Sequence, residues 1–143
     1  MIVYFDTSAL VPLLVFEPGS PAARELWDEA SRVASVRLVY PEARAALAQA
    51  RRSGRVTPRQ LRSAVRALDD RYEQLDLVEL DGTLAHRAGD LAETHGLRGY
   101  DAVHLAAAHR LDDHELVVAA GDRALLVAAA DLGLATAMIG AAR

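Results

Sequence analysis

Short apolar stretches alternate with longer stretches of mixed polarity along the whole chain. Short, continuous apolar runs bounded by turn residues are typical of buried strands. They predict five strands, at residues 2–5, 33–39, 75–80, 115–120 and 135–139. Strands that take turns with helices indicate an α/β fold, in which helices cover both faces of a parallel sheet.

The stretches between the strands have helical periodicity and carry helix start and stop signals. Ser20 and Pro21 are typical of an N-cap and a first helical turn, and Thr57 with Gln60 forms a capping-box pattern. Gly96 is a typical helix terminator. The pattern predicts seven helices, at residues 8–15, 20–30, 40–54, 57–72, 81–96, 100–111 and 121–133.

Length and composition limit the possible functions. A chain of 143 residues with 52% apolar residues can bury one core, so we expect a single domain over residues 1–143. No basic leader and no apolar run of membrane-spanning length is present, which predicts a cytoplasmic protein with no membrane partner. Cysteine and lysine are both absent, which excludes thiolate, P-loop and Schiff-base chemistry. Carboxylate, histidine or hydroxyl chemistry remains.

Four acids are placed where the ends of predicted elements should meet. Asp6 and Asp122 each follow a strand, and Glu42 and Asp101 each lie in the first turn of a helix. Ligands of open parallel sheets bind beyond the carboxyl ends of the strands. Each acid taken alone could serve only as a helix cap or as a favourable charge at a helix N-terminus. Together they would repel one another unless a divalent cation such as Mg²⁺ or Mn²⁺ bound them, which suits phosphodiester chemistry.

Four motifs resemble the PIN domain family, and specifically its VapC-type toxins. The opening "VYFDTSALVPLLVFEPGS" is similar to the family's first strand, acid and helix. "YPEARAAL", "LRGYDAVHLAAA" and "DRALLVAAADLGLA" resemble the second, third and fourth acid motifs, in family order over nearly the whole chain. One departure is Ala120, because many relatives carry Thr or Ser two residues before the fourth acid.

The resemblance implies a three-layer α/β/α sandwich with a parallel sheet of about five strands in the order 3-2-1-4-5. It implies an endoribonuclease that depends on Mg²⁺ or Mn²⁺, with Asp6, Glu42, Asp101 and Asp122 as catalytic and metal-binding residues. It also implies a homodimer and a VapB-like antitoxin that blocks the site. Ser8 would orient Asp6 or a bound water, although a plain N-cap is an equal alternative.

Other interpretations of these residues remain open. His104 follows Asp101 by three residues and could act as an acid or base, but its apolar surroundings favour a packed, hydrogen-bonded core histidine. An Asp-based phosphatase of the haloacid-dehalogenase type would need a second Asp two residues after Asp6, where this chain has Ser8. A PIN-like module without catalysis, with a binding or regulatory role, is the remaining alternative.

A basic stretch lies within a chain whose formal net charge is −4. Between residues 43 and 68 there are seven arginines and no acid. Arginines at three- and four-residue spacing form an ordinary solvated helix face or a surface that contacts a polyanion. If the latter holds, the residues expected to guide RNA are Arg52, Arg55, Arg59 and Arg62.

Overall fold

The computed structural model describes residues 1–140. Within this range five strands form one sheet: β1 (Ile2–Phe5), β2 (Arg32–Val36), β3 (Asp76–Val78), β4 (Leu116–Ala120) and β5 (Ala135–Met138). A 3₁₀ turn, Val11–Leu13, follows the first of seven α-helices: α1 (Thr7–Leu10), α2 (Ser20–Glu29), α3 (Val39–Arg52), α4 (Pro58–Gln74), α5 (Gly82–His95), α6 (Gly99–Leu111) and α7 (Arg123–Asp131).

All the strand pairs of the sheet are parallel, and the strand order is β3-β2-β1-β4-β5. The order 3-2-1-4-5 that the resemblance implied is therefore confirmed. β1 lies in the centre, where Val3 is in register with Val33 of β2 on one side and with Val117 of β4 on the other. The strands after β1 are added on one side of it (β2, β3) and then on the other (β4, β5), so the strand order switches between β1 and β4. Ligands of such sheets bind at this switch point.

Helices cover both faces of the sheet, and a separate apolar core lies on each side. Successive side chains of a strand point to opposite faces. Val3 and Phe5 accordingly belong to the core beneath α1 to α4, whereas Tyr4 belongs to the core beneath α5 to α7. The three layers that were expected are thus present, and the central strand is buried on both faces.

Several predicted boundaries differ from the structure by one to a few residues, and three of them have a local reason. The first helix does not run over 8–15, because Pro12 has no N–H for the α ladder and the chain continues as the 3₁₀ turn. Ser20 is the first residue of α2 and not its cap, since its hydroxyl donates to the Pro12 carbonyl at 2.6 Å. The second strand ends at Val36 and not at Val39, which is already buried in α3.

Several start and stop signals act as expected. The capping box of Thr57 and Gln60 is formed with both of its hydrogen bonds at the start of α4. Asp81 caps α5, and Gly96 ends it with a φ of 66°, a conformation that glycine adopts without a Cβ penalty. Within the described 140 residues, no helix combines the length and the apolar character needed to cross a bilayer.

Candidate active site

Asp6 stands directly beyond the carboxyl end of β1 and is almost fully buried. Its backbone N–H still donates to the carbonyl of Ala119 on β4, so the sheet ladder positions it. The carboxylate caps α1 by accepting from the Ala9 N–H at 3.0 Å, and it accepts the Ser8 hydroxyl at 2.7 and 2.9 Å on its two oxygens. Burial raises the pKa of Asp6 to about 6, against the opposing effects of His104 and of these hydrogen bonds.

Ser8 connects the ends of β1 and β4 through one hydroxyl. While it donates to Asp6, its oxygen accepts the backbone N–H of Gly121 at 2.7 Å. The sequence left two roles open for Ser8, an N-cap or a residue that orients Asp6. The N-cap of α1 is Asp6 and not Ser8. Ser8 thus orients Asp6. Ala120 is fully buried and brings no hydroxyl to this edge.

Glu42 lies in the first turn of α3 and is held by two side chains. Its Oε1 accepts the Thr7 hydroxyl at 2.8 Å and lies 2.6 Å from Nε2 of His104. Because an ionised carboxylate only accepts, Nε2 is the donor of this pair. Both of these contacts are made by the same oxygen of Glu42.

His104 of α6 is a buried, hydrogen-bonded histidine, as the sequence favoured. Its Nδ1 lies 2.8 Å from the hydroxyl of Tyr4 on β1, and its ring packs edge-on against the tyrosine ring. The partner of its other nitrogen was not foreseen, because the apolar residues around His104 in the sequence give no sign that it reaches Glu42. The histidine therefore links the central strand to a candidate site residue.

Asp101 and Asp122 share a cation from their own chain. Nε of Arg98 lies 3.0 Å from Oδ2 of Asp101, and its Nη2 lies 3.4 Å from Oδ2 of Asp122. Burial raises the pKa of Asp101, and Arg98 opposes this. Asp122 also caps α7 through the Leu125 N–H. The cap interpretation is thus correct for Asp6 and Asp122, and it coexists with their placement in the site.

The four predicted acids line one cavity of about 610 Å³ at the carboxyl edge of the sheet, in agreement with the convergence expected from the sequence. Thr7, Arg98 and Tyr100 also line it and were not among the predicted site residues. Arg98 and Tyr100 stand inside the third acid motif, which was the one signal that could have found them. Of the predicted RNA-guiding arginines, Arg55 lines this cavity and lies 3.7 Å from Glu17.

The donor set of the cavity suits Mg²⁺ or Mn²⁺, which prefer carboxylate oxygens and water. Within residues 1–140, no three acidic or histidine side chains are already arranged as a metal cluster. At least one oxygen of each acid instead accepts from a donor of the chain itself: Ser8 on Asp6, His104 on Glu42, and Arg98 on the other two acids. A guanidinium that already pairs with two of the carboxylates shows that a cation is accommodated at this position.

The family model described as "PIN domain" matches residues 3–131. The chain belongs to the PIN domain family. Two curated proteins of Mycobacterium tuberculosis, ribonuclease VapC45 and ribonuclease VapC49, are each 49% identical to it over 124 residues, which is 87% of this chain and 86% of each relative. The expectation that residues 1–143 form a single domain stays a prediction, since the match describes only part of that range.

Two solved structures illustrate the shared fold. Mycobacterium tuberculosis VapC20, described as a sarcin-ricin loop cleaving toxin, has a TM-score of 0.69 at 21% identity, over 88% of this chain and 94% of its own. VapBC2 of Rickettsia felis, bound to a DNA fragment from its promoter, has a TM-score of 0.65 at 15% identity, over 96% of this chain and 98% of its own. At these identities the likeness shows the fold.

Proposed function

We propose that this protein is an endoribonuclease of the VapC type that hydrolyses RNA phosphodiester bonds with the help of Mg²⁺ or Mn²⁺. The observation that carries the proposal is the meeting of Asp6, Glu42, Asp101 and Asp122 on one cavity. The ribonuclease names of the two relatives with 49% identity support it.

The four carboxylates divide the work at the site. Asp6, Asp101 and Glu42 would hold the divalent cation, directly or through water, and Asp122 would complete its surroundings. When bound, the cation would supply a water of lowered pKa and would neutralise charge on the phosphate. The raised pKa values of Asp6 and Asp101 favour this assignment, because a buried carboxylate that ionises at a cost gains most from a cation.

Residues of the chain itself prepare the attack on phosphorus. Thr7 and His104 hold Oε1 of Glu42, so the carboxylate keeps one orientation while Oε2 accepts a proton from the attacking water. Tyr4 in turn fixes the ring of His104. Ser8 keeps Asp6 in place through both of its oxygens. Such a site does not require the RNA 2′-hydroxyl as the nucleophile.

Neither alternative accounts for the site as well. A binding module without catalysis has no physical need to keep four carboxylates on one cavity, where like charges destabilise one another. A phosphatase of the haloacid-dehalogenase type is disfavoured by membership of the PIN family and by Ser8, which uses its hydroxyl to hold Asp6.

A cognate antitoxin of the VapB type is the protein partner that we propose. It would insert an Arg or Lys into the acidic cavity, and the contact of Arg98 with two of the acids supports the fit of a guanidinium there. The similar fold of the Rickettsia felis VapBC2 structure supports the pairing. A homodimer and a cytoplasmic location complete the proposal, on the resemblance to VapC-type toxins.

The test compares acid variants with a matched control. Asp101→Asn and Glu42→Gln remove one charge each from the cavity, while Asp90→Asn makes the same change on an exposed position of α5 outside the cavity. Cleavage of total bacterial RNA in Mn²⁺ should fall about a hundredfold or more in the two cavity variants. The control should cleave like the parent. Full Mn²⁺-dependent cleavage by both cavity variants would refute the proposed site.

A further inference from the structure

Arg98 occupies a position between two elements of the site. It is the residue that precedes α6, and its guanidinium reaches Asp101 in the first turn of that helix. It also reaches Asp122, which follows β4. Because Arg98 lines the cavity together with both acids, its positive charge lies where the proposed function requires a divalent cation and a phosphate to meet.

The ring of Tyr100 contacts the guanidinium of Arg98. The central carbon of the Arg98 guanidinium lies 4.8 Å from the centroid of the Tyr100 ring, within the range of a cation–π contact. Tyr100 also lines the cavity and is partly exposed. A guanidinium held over the ring can exchange its hydrogen-bond partners while it keeps this contact.

The contact between Arg98 and the two acids is of a kind that breaks readily. The side chain of Arg98 is 63% exposed, and ion pairs with such exposure are weak because water screens them and side-chain entropy opposes them. The hydrogen bonds to the acids use Nε and Nη2 and leave Nη1 for other acceptors.

We propose that Arg98 alternates between two anionic partners, the Asp101–Asp122 pair and the scissile phosphodiester of the RNA. This inference rests on the proposed function. A divalent cation held by the acids of the cavity would compete with the guanidinium for the carboxylate oxygens of Asp101 and Asp122 and would release it. A phosphate presents paired oxygens that match the planar fork of arginine. Arg98 thus pairs with the two acids in the free protein and binds the phosphate during cleavage.

The two roles predict effects of opposite sign for a single substitution. Loss of the guanidinium removes a competitor of the metal, so the metal should bind more tightly. It also removes a donor to the reacting phosphate, so cleavage at saturating metal should be slower. An ion pair that only stabilises the start of α6 predicts no gain in metal affinity.

The experiment uses Arg98→Gln, with Arg110→Gln as its control. Arg110 lies in the last turn of α6, the helix that Arg98 precedes. It also pairs with an aspartate, Asp81 at 3.1 Å, but it does not line the cavity. Titration calorimetry with Mn²⁺ alone measures metal affinity. Single-turnover cleavage of a labelled RNA that spans a site cut by the parent measures rate at saturating Mn²⁺. Thermal melts check that both variants fold.

Arg98→Gln should bind Mn²⁺ about two- to fivefold more tightly than the parent, from the weakness of exposed ion pairs. It should cleave about a hundredfold more slowly. Arg98→Lys keeps the charge without the fork, so it should restore the parental Mn²⁺ affinity and only part of the rate. Arg110→Gln should match the parent in both measurements.

Unchanged Mn²⁺ affinity in Arg98→Gln overturns the inference, and so does an unchanged cleavage rate. A parent that binds Mn²⁺ but cleaves no RNA contradicts the proposed function itself. The two failures are distinguishable, because the first concerns the variant alone and the second the parent.

Discussion

Asp6 should destabilise the metal-free protein through its own charge. The residue is 3% exposed, and burial moves the pKa of its carboxyl group from the ordinary 3.8 to about 6. Between these two values the folded protein binds more protons than the unfolded chain. The stability of the metal-free protein therefore falls as pH rises through this window, and the full cost is present above pH 6.

The magnitude follows from the two pKa values. At about 1.4 kcal/mol per pH unit, the difference between 3.8 and about 6 corresponds to about 3 kcal/mol at neutral pH. Asp6→Asn removes the charge and keeps an oxygen that can accept the Ala9 N–H, although its NH₂ group meets the Ser8 hydroxyl. The variant should be more stable than the parent by about 2 kcal/mol near pH 7.5, after about 1 kcal/mol is allowed for a weakened hydrogen bond.

Urea unfolding in EDTA, followed by circular dichroism, measures the effect near pH 7.5 and near pH 4.5. The advantage of Asp6→Asn over the parent should shrink by about 2 kcal/mol at the lower pH, because the parental Asp6 is then protonated in the fold. The variant is compared with the parent at the same pH, so the contribution of the other acids to the free energy of unfolding cancels to first order.

Asp81→Asn is the matched control, since Asp81 also caps a helix but is exposed and paired with Arg110. That arginine lowers the pKa of Asp81, so its charge stabilises the fold above its unfolded pKa and this contribution is lost as pH falls. Asp81→Asn should destabilise the protein near pH 7.5, opposite in sign to Asp6→Asn. A less stable Asp6→Asn variant, or an advantage independent of pH, would refute the electrostatic reasoning.

Three further outcomes are expected. His104→Gln should cost about 1–3 kcal/mol in urea unfolding, since a buried hydrogen-bond partner is lost, and should slow RNA cleavage while Mn²⁺ binding persists, because Glu42 loses its orientation. Ser8→Ala should cost about 1–3 kcal/mol, because its two partners each lose a hydrogen bond; an unchanged urea midpoint would contradict this. Arg59→Gln with Arg62→Gln should reduce the log–log salt slope of RNA binding by about 1–1.5 at unchanged Mn²⁺ affinity; an identical slope would assign both to a solvated face.

The architecture was predictable because its signals are local and agree with one another. The short apolar run that ends at Asp6 predicted a buried strand, and the structure has β1 at these residues. The capping box at Thr57 and the terminator Gly96 were equally direct. Strand order needed the resemblance, because the periodicity of a strand carries no information about its neighbours.

The partners of the acids were not predictable from periodicity or spacing. Val39 shows the limit for elements, since one apolar residue fits the end of a strand as well as the buried first turn of a helix. His104 and Arg98 show it for the site. Their contacts with acids far along the chain depend on side-chain direction and on the approach of separate helices, and neither leaves a mark in one sequence.

The order of the strands also bears on how the protein is made. β1 emerges first from the ribosome, but its neighbour β4 is separated from it by about a hundred residues of chain. Until β4 has been synthesised, the central strand lacks a partner on one side. Of the acids that line the cavity, Asp101 is synthesised shortly before β4 and Asp122 directly after it. A nascent chain, or one released early, therefore holds Asp6 and Glu42 without the other half of the site.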